Sequence, residues 1–198
     1  MRSSTFSTMF GLLAVAGIDE VGRGCWAGPV VAAACILDQA NTPKGLNDSK
    51  RLSPAARERL SRELKRTARA WAISSVSAKT VDRIGIVAAT KRAMVRAVRK
   101  LEVRADSLLV DALVLEDLNL PQVPLIHGDR LSCSIAAASI LAKVWRDAWM
   151  HRAARRFPQY GFDHHVGYGT DEHFKALSKH GPCALHRHSF KPVRTAVE

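Results

Sequence analysis

Two adjacent acids, Asp19 and Glu20, close an apolar run from Leu12 to Ile18 and lead directly into Gly22-Arg23-Gly24. A buried carboxylate without a partner is costly or becomes protonated, so acids at the end of a buried strand hold a cation or do chemistry. The pattern recurs twice. Leu108-Leu109-Val110 leads into Asp111, and the run Val123–Ile126 is followed by His127-Gly128-Asp129. Any one of these acids alone reads as a solvated turn residue or an arginine partner. Together they read as one crevice, because strand ends of a helix-covered sheet converge where ligands bind. An oxygen-only donor set without cysteine suits a hard cation, Mg²⁺ or Mn²⁺. Two such ions, about 3.5–4 Å apart, can clamp the attacking water and the leaving oxygen of a phosphodiester. Side chains alternate along a strand, so Asp19 and Glu20 share a site only if the backbone turns at Glu20. The nearby glycines make such a turn easy.

The elements that must position these acids follow from periodicity and punctuation. Leu12–Ile18, Val30–Leu37, Ala70–Val76, Leu108–Asp111 and Val123–Ile126 read as five strands. Ser53-Pro54 is an N-cap and first-turn proline opening a helix to about Arg69. Ile86 to Glu102 and Ile135 to Arg156 carry helical patterns, and Asp171 to His180 is a last helix stopped by Gly181-Pro182. These predict an α/β fold, a mixed sheet covered by helices. The G-x-G of the first loop is not a dinucleotide fingerprint, since a strand-like run follows it and the third glycine is misplaced.

The chain has 198 residues, a length that predicts one domain. Thirty Lys+Arg against 18 Asp+Glu leave a net charge of +12, which favours polyanionic partners. The few acids kept in apolar surroundings are the more informative for that. Cys25, Cys35, Cys133 and Cys183 form no C-x-x-C pair and read as buried thiols of a reducing compartment. No apolar run is long enough to span a membrane. Ala14-Val15-Ala16 resembles a signal-peptide cleavage site, but cutting there would remove the strand that presents Asp19, so the reading is of a cytoplasmic protein.

The segments AGIDEVGRGCWAGPVV, GLNDSK-LS, LLVDAL, HGD, SIAAASILAKVWRD and FPQYGFDHHVGYGT-EH resemble, in order and spacing, those of the ribonuclease HII family, from about Ala16 to about Val193. With no added N-terminal domain, the likeness is to the HII rather than the HIII type. The resemblance implies a ribonuclease H-like fold: a five-stranded mixed sheet flanked by helices, with a core over about 14–158 and a small helical C-terminal extension over about 159–198. It implies a metal-dependent, monomeric endoribonuclease that cuts the RNA strand of RNA–DNA hybrids and nicks 5′ to single ribonucleotides in duplex DNA, with roles in ribonucleotide and primer removal. By motif, Asp19, Glu20, Asp111 and Asp129 are implied as the catalytic, metal-binding acids, with Mg²⁺ or Mn²⁺ as cofactor and two ions during catalysis. Gly22, Arg23 and Gly24 are implied to sense the ribose 2′-hydroxyl through their backbone, a role for which glycine leaves room. Tyr168 is implied to stack on the following sugar, its Gly167 and Gly169 flanks favouring an exposed placement. Lys50 and Lys143 are implied to lie near phosphates, and Ser139 is grouped with the substrate contacts. The chain departs from the family pattern at three positions. Ala112 stands where glycine is common, and His127 and Val166 stand where lysine is common.

Rival readings are weaker. Ser139 and Lys143 lie one helical turn apart, but a serine-hydrolase pair needs other spacing and an oxyanion hole. The late histidines (His164, His165, His173, His180, His186 and His188) lack a Cys pair or His-x₃-His spacing for zinc, and are read as lining the nucleic-acid face or capping helices. A nuclease of this fold acting on DNA junctions, and a noncatalytic hybrid-binding module, are the functional rivals. The glycine-flanked Arg23 argues against the first and the full set of acids against the second.

Overall fold

The computed structural model describes residues 14–47 and 49–196. Along the chain the elements are β1 (Val15–Val21), β2 (Val30–Ile36), α1 (Pro54–Thr67), β3 (Ala70–Val76), α2 (Ala78–Ile84), α3 (Ile86–Arg99), β4 (Ser107–Asp111), β5 (Gln122–Leu125), α4 (Gly128–Leu131), α5 (Cys133–Arg156), α6 (Phe162–His165), α7 (Asp171–His180) and α8 (Lys191–Thr195). The strands form one sheet in the order β3-β2-β1-β4-β5. β1, β2 and β3 pair antiparallel, whereas β4 joins β1, and β5 joins β4, in parallel. Pro124 is tolerated because β5 is an edge strand.

Alternation along the strands sorts the core into two layers. Ala16 and Ile18 of β1, with Ala32 and Ala34 of β2, pack beneath α3 through Ala93, Met94 and Ala97. Val31, Ala33 and Cys35 face the other way, onto α1 (Leu60, Leu64) and α5 (Ala137, Ile140, Leu141). The run Ile135–Ala142 is buried without interruption. Its small residues let α5 lie close on the sheet, closest over Gly17, where any Cβ would run into the Ser134 backbone. A third cluster joins the end of α5 (Met150, Ala153, Ala154) to Ala27, Tyr160 and Phe162, fastening the C-terminal extension to the loop after β1.

The expected five strands, mixed sheet and flanking helices are present. Ser53 caps α1 as predicted, its hydroxyl accepting the Ala56 amide at 3.2 Å. Several boundaries shift by a few residues, and three differences matter here. The first strand runs on to Val21 rather than ending at Ile18; Leu12 and Leu13, which the sequence placed in it, lie outside the described residues. The short helix α2 was not foreseen. It is capped by Ser77 and ended by Gly85 at φ 80°, which separates it from α3. Cys133 is exposed and Cys183 half-buried, so only Cys25 and Cys35 are the buried thiols expected.

Candidate active site

The acids meet where β4 stops accompanying β1. β1 pairs with β4 only as far as Ile18, opposite Val110, yet continues against β2 through Asp19, Glu20 and Val21. Beyond Ile18 the β4-facing edge of β1 is therefore open. The strand does not turn at Glu20, which corrects the sequence expectation. Asp19 faces α5, Glu20 starts from the opposite face, and its longer side chain brings the two carboxylates together around the open edge. Asp19, Glu20 and Asp111 each offer an oxygen, and these oxygens lie within 4.8 Å of one another. Asp129 stands outside that set, on the residue after Gly128, whose amide donates to Asp111 Oδ1 at 2.8 Å.

Three carboxylates this close oppose one another. Burial, then the charge of Glu20, holds the Asp19 carboxyl well above the usual range, although hydrogen bonds from Ser139 and the Glu20 amide act the other way. Burial raises Glu20 as well, offset in part by Arg23, whose Nη1 lies 3.4 Å from Oε1. Glu20 Oε2 is buried and, among the described residues, has no hydrogen-bond partner. A half-satisfied, oxygen-only cluster of acids is what a divalent cation fits. Ser139, expected to touch substrate, is buried and lies behind Asp19, its hydroxyl 2.9 Å from that of Ser49. Lys50 follows Ser49 in a single 3₁₀ turn, but its side chain lies outside the described residues, as does Asp48.

The Gly22–Pro29 loop beside the acids is held by two arginines that sequence reasoning missed. Both are fully buried. Arg187 donates to the carbonyls of Gly22 (2.7 Å), Arg23 (2.8 Å) and Gly28 (3.0 Å). Arg146 donates to Ala27 (3.0 Å), Pro29 (3.0 Å) and Val166 (2.8 Å). Carbonyl dipoles, rather than a carboxylate, satisfy each guanidinium. Burial lowers Arg187 to about 10. Gly22, at φ +87°, sits on the Arg146 side chain with no room for a Cβ. Gly24 differs: a Cβ there would meet nothing within 4 Å. Internal packing requires glycine at Gly22 and is indifferent to it at Gly24.

Tyr168 is 39% exposed across the loop, as its glycine flanks implied. Its ring has Lys143 Nζ at 5.7 Å and the Arg146 guanidinium at 5.8 Å, and Lys143 is itself paired with Asp147 at 2.8 Å. Burial first, then the Cys25 thiol beside it, pushes the Tyr168 hydroxyl up to about 12 and keeps it protonated. The three departures from the family pattern share one property. Ala112 (φ 53°), His127 (φ 56°) and Val166 (φ 43°) are the non-glycine residues with left-handed backbone among those described. The expectation for the histidines is corrected: His165, His173 and His186 are buried among Tyr160 and Phe162, not spread over a surface.

No described helix is long and apolar enough to cross a membrane. A family model described as Ribonuclease HII matches residues 16–193. Ribonuclease HII of Ruminiclostridium cellulolyticum is 51% identical over 184 residues, 93% of this chain and 71% of that protein. Ribonuclease HII of Geobacillus thermodenitrificans is 52% identical over 187 residues, 94% of this chain and 72% of that protein. Among solved structures, RNase HII of Archaeoglobus fulgidus, determined in a complex with PCNA, superposes with a TM-score of 0.77 at 28% identity, covering 93% of this chain and 97% of that one.

Proposed function

The chain belongs to the ribonuclease HII family and is an endoribonuclease of RNA–DNA hybrids, and from that premise we propose that Asp19, Glu20 and Asp111, with Asp129 at their margin, hold the divalent cations it needs. The observation that carries this reading is the meeting of three carboxylates at the open edge of β1, with Val21 alone between Glu20 and the Gly22-Arg23-Gly24 loop. Mg²⁺ or Mn²⁺, one ion or two, supplies Lewis-acid stabilisation of the phosphodiester oxygens and a more acidic water.

The chain's own groups do the rest. Ser139 and the Glu20 amide fix Asp19. The Gly128 amide fixes Asp111. The open backbone at Gly24 lets a ribose come close enough for its 2′-hydroxyl to be hydrogen-bonded, a contact deoxyribose cannot make. Tyr168 offers a ring face to the next sugar, and Lys143 offers a charge to its phosphate. With the cluster beside the ribose sensor, cleavage falls 5′ to the ribonucleotide, the leaving group is a 3′-oxygen, and the ends are 3′-hydroxyl and 5′-phosphate. All these groups come from one chain, so a monomer is sufficient.

The test is end-labelled duplex DNA with one embedded ribonucleotide, incubated with Mg²⁺, Mn²⁺ or EDTA. A single nick 5′ to the ribonucleotide, abolished by EDTA and by Asp111→Asn with duplex binding retained, is the expected result. Cutting of an all-DNA duplex, or near-normal turnover by Asp111→Asn, overturns the assignment.

A further inference from the structure

Six of the eight histidines follow residue 160, and the proposed chemistry uses none of them. Three are buried in one ring cluster, with His165 stacked on His173 at 4.4 Å and 15°. The hydrogen bonds of two of them allow one arrangement of protons. A carbonyl only accepts, so His173 Nδ1–H donates to the Tyr168 carbonyl at 2.8 Å. An amide only donates, so His186 Nδ1 accepts from Cys183 N–H at 2.9 Å. The remaining contact, Nε2 to Nε2 at 3.0 Å, then has His186 Nε2–H donating to the bare Nε2 of His173. The chain of bonds runs one way, from Cys183 N–H through His186 and His173 to the Tyr168 carbonyl, with both rings neutral. A second proton on His173 would set two N–H groups head to head. One on His186 would do the same against Cys183.

The same segment fixes the ribose loop. His186 is followed by Arg187, whose guanidinium holds the Gly22 and Arg23 carbonyls. Around Tyr168 the backbone is tied at several further points. His165 Nδ1 accepts the Gly167 amide at 3.2 Å, and the Gly167 carbonyl accepts the Trp26 amide at 2.9 Å. Adjacent residues of one loop thus reach both surfaces that read the sugar.

We infer that His173 and His186 are positioning residues: a neutral, singly oriented imidazole pair that sets Tyr168 against the Gly22–Gly24 loop and so governs cutting at isolated ribonucleotides. This rests on the assignment of Tyr168 to the sugar after the ribonucleotide. Burial supports the neutral state, lowering both rings to about 4. The groups whose charges act on the pair are His165 and Glu172 at His173, and His165 and His188 at His186, with the Tyr160 ring and Cys183 also against His186; of these only the Glu172 carboxylate favours a charged ring.

Two experiments test it. Long-range ¹H–¹⁵N correlation on the folded protein should find His173 as the Nδ1–H tautomer and His186 as the Nε2–H tautomer, both neutral at pH 5.5. The opposite tautomers, or a second proton on either ring at pH 5.5, overturn the proposal without any variant. His186→Asn keeps an acceptor for Cys183 but cannot reach His173, whereas His186→Gln can donate at the Nε2 position. His186→Asn should lower kcat/KM on a single embedded ribonucleotide about tenfold more than on a long hybrid, and His186→Gln should restore most of it, since small misplacements near a reacting centre cost one to two orders of magnitude. Equal losses on both substrates overturn the proposal. Tyr168→Ala, assayed beside them, separates two failures. If it discriminates between the substrates and His186→Asn does not, the relay alone is wrong; if neither discriminates, the tyrosine assignment falls first.

Discussion

The acidic cluster should cost the cation-free protein stability, and removing one charge should return some of it. Ligand oxygens of Asp19, Glu20 and Asp111 lie within 4.8 Å of one another. At an effective dielectric constant near 20, two unit charges at that separation repel by about 3.5 kcal/mol. Three full charges would oppose folding by roughly three times that, and the raised Asp19 carboxyl has the same sign. Asp19→Asn keeps the Oδ1 that accepts the Glu20 amide at 2.7 Å and removes the charge. Because Arg23 and partial protonation would offset part of the repulsion, the net gain in EDTA is about 1–3 kcal/mol, or about 3–8 °C in Tm for a chain of this size. The pH dependence has a definite sign. A carboxyl raised in the folded state costs nothing below its unfolded pKa, so the advantage is absent near pH 4 and grows as pH rises toward the folded value. Saturating Mg²⁺ stabilises the wild type by mass action, about 2.7 kcal/mol at a hundred times Kd, and closes or reverses the gap. Thermal melts of both proteins in EDTA and in Mg²⁺, at two pH values, measure all of this. An Asp19→Asn protein that melts at or below the wild type in EDTA at neutral pH would refute the argument.

Three further outcomes follow from the site and its surroundings. Gly24→Ala should fold with wild-type stability, because a Cβ there meets nothing within 4 Å, yet lose most cleavage of an embedded ribonucleotide; unchanged kcat/KM would remove Gly24 from the ribose contact. Ala112→Gly should gain about 0.5–1 kcal/mol in urea denaturation while cleaving normally, since alanine at φ 53° carries a left-handed penalty that glycine avoids, less glycine's greater unfolded-state entropy; a loss of stability would count against that strain. The fold around His173 and His186 should weaken as pH falls from about 6.5 toward 4, because the unfolded chain takes up protons there that the buried rings refuse. Urea unfolding at pH 7 and pH 5 checks it, with His186→Gln expected to lessen the dependence.

The strands were legible because a buried strand writes itself as a short apolar run, and β2, buried along its whole length, does so without a break. Where the structure departed, the reason is tertiary. β1 extends to Val21 because β2 continues to pair with it, Val31 opposite Val21, after its pairing with β4 has ended at Ile18 opposite Val110. No local pattern encodes where a neighbour's pairing ends. That same mismatch is what lets Asp19 and Glu20 share a site on a regular strand. The sequence condition of a backbone turn was therefore a sound inference from alternation, overridden by an edge that only the assembled sheet creates.

The site divides along the same line. Acids were visible because carboxylates follow three separate apolar runs, and Tyr168 through its match to the family motif, with its glycine flanks pointing to exposure. Arg146 and Arg187 were invisible in a chain with 30 basic residues, since nothing distinguishes a buried arginine from a solvated one until its carbonyl partners are known. Those partners lie far away in sequence, at Ala27 and Pro29 for Arg146, and at Gly22 and Gly28 for Arg187. The histidine pair was hidden differently: its signal was read, but as surface. Exposed histidines at His164, His180 and His188 are interspersed in sequence with buried ones at His165, His173 and His186. What separates them is the packing of Tyr160 and Phe162 against the end of α5, which makes an interior where the sequence shows a loop. The acids that a nuclease needs for the bond are local features of strands. The groups proposed to aim the chain at a ribose are long-range, because aiming requires two separate loops to be held to one another.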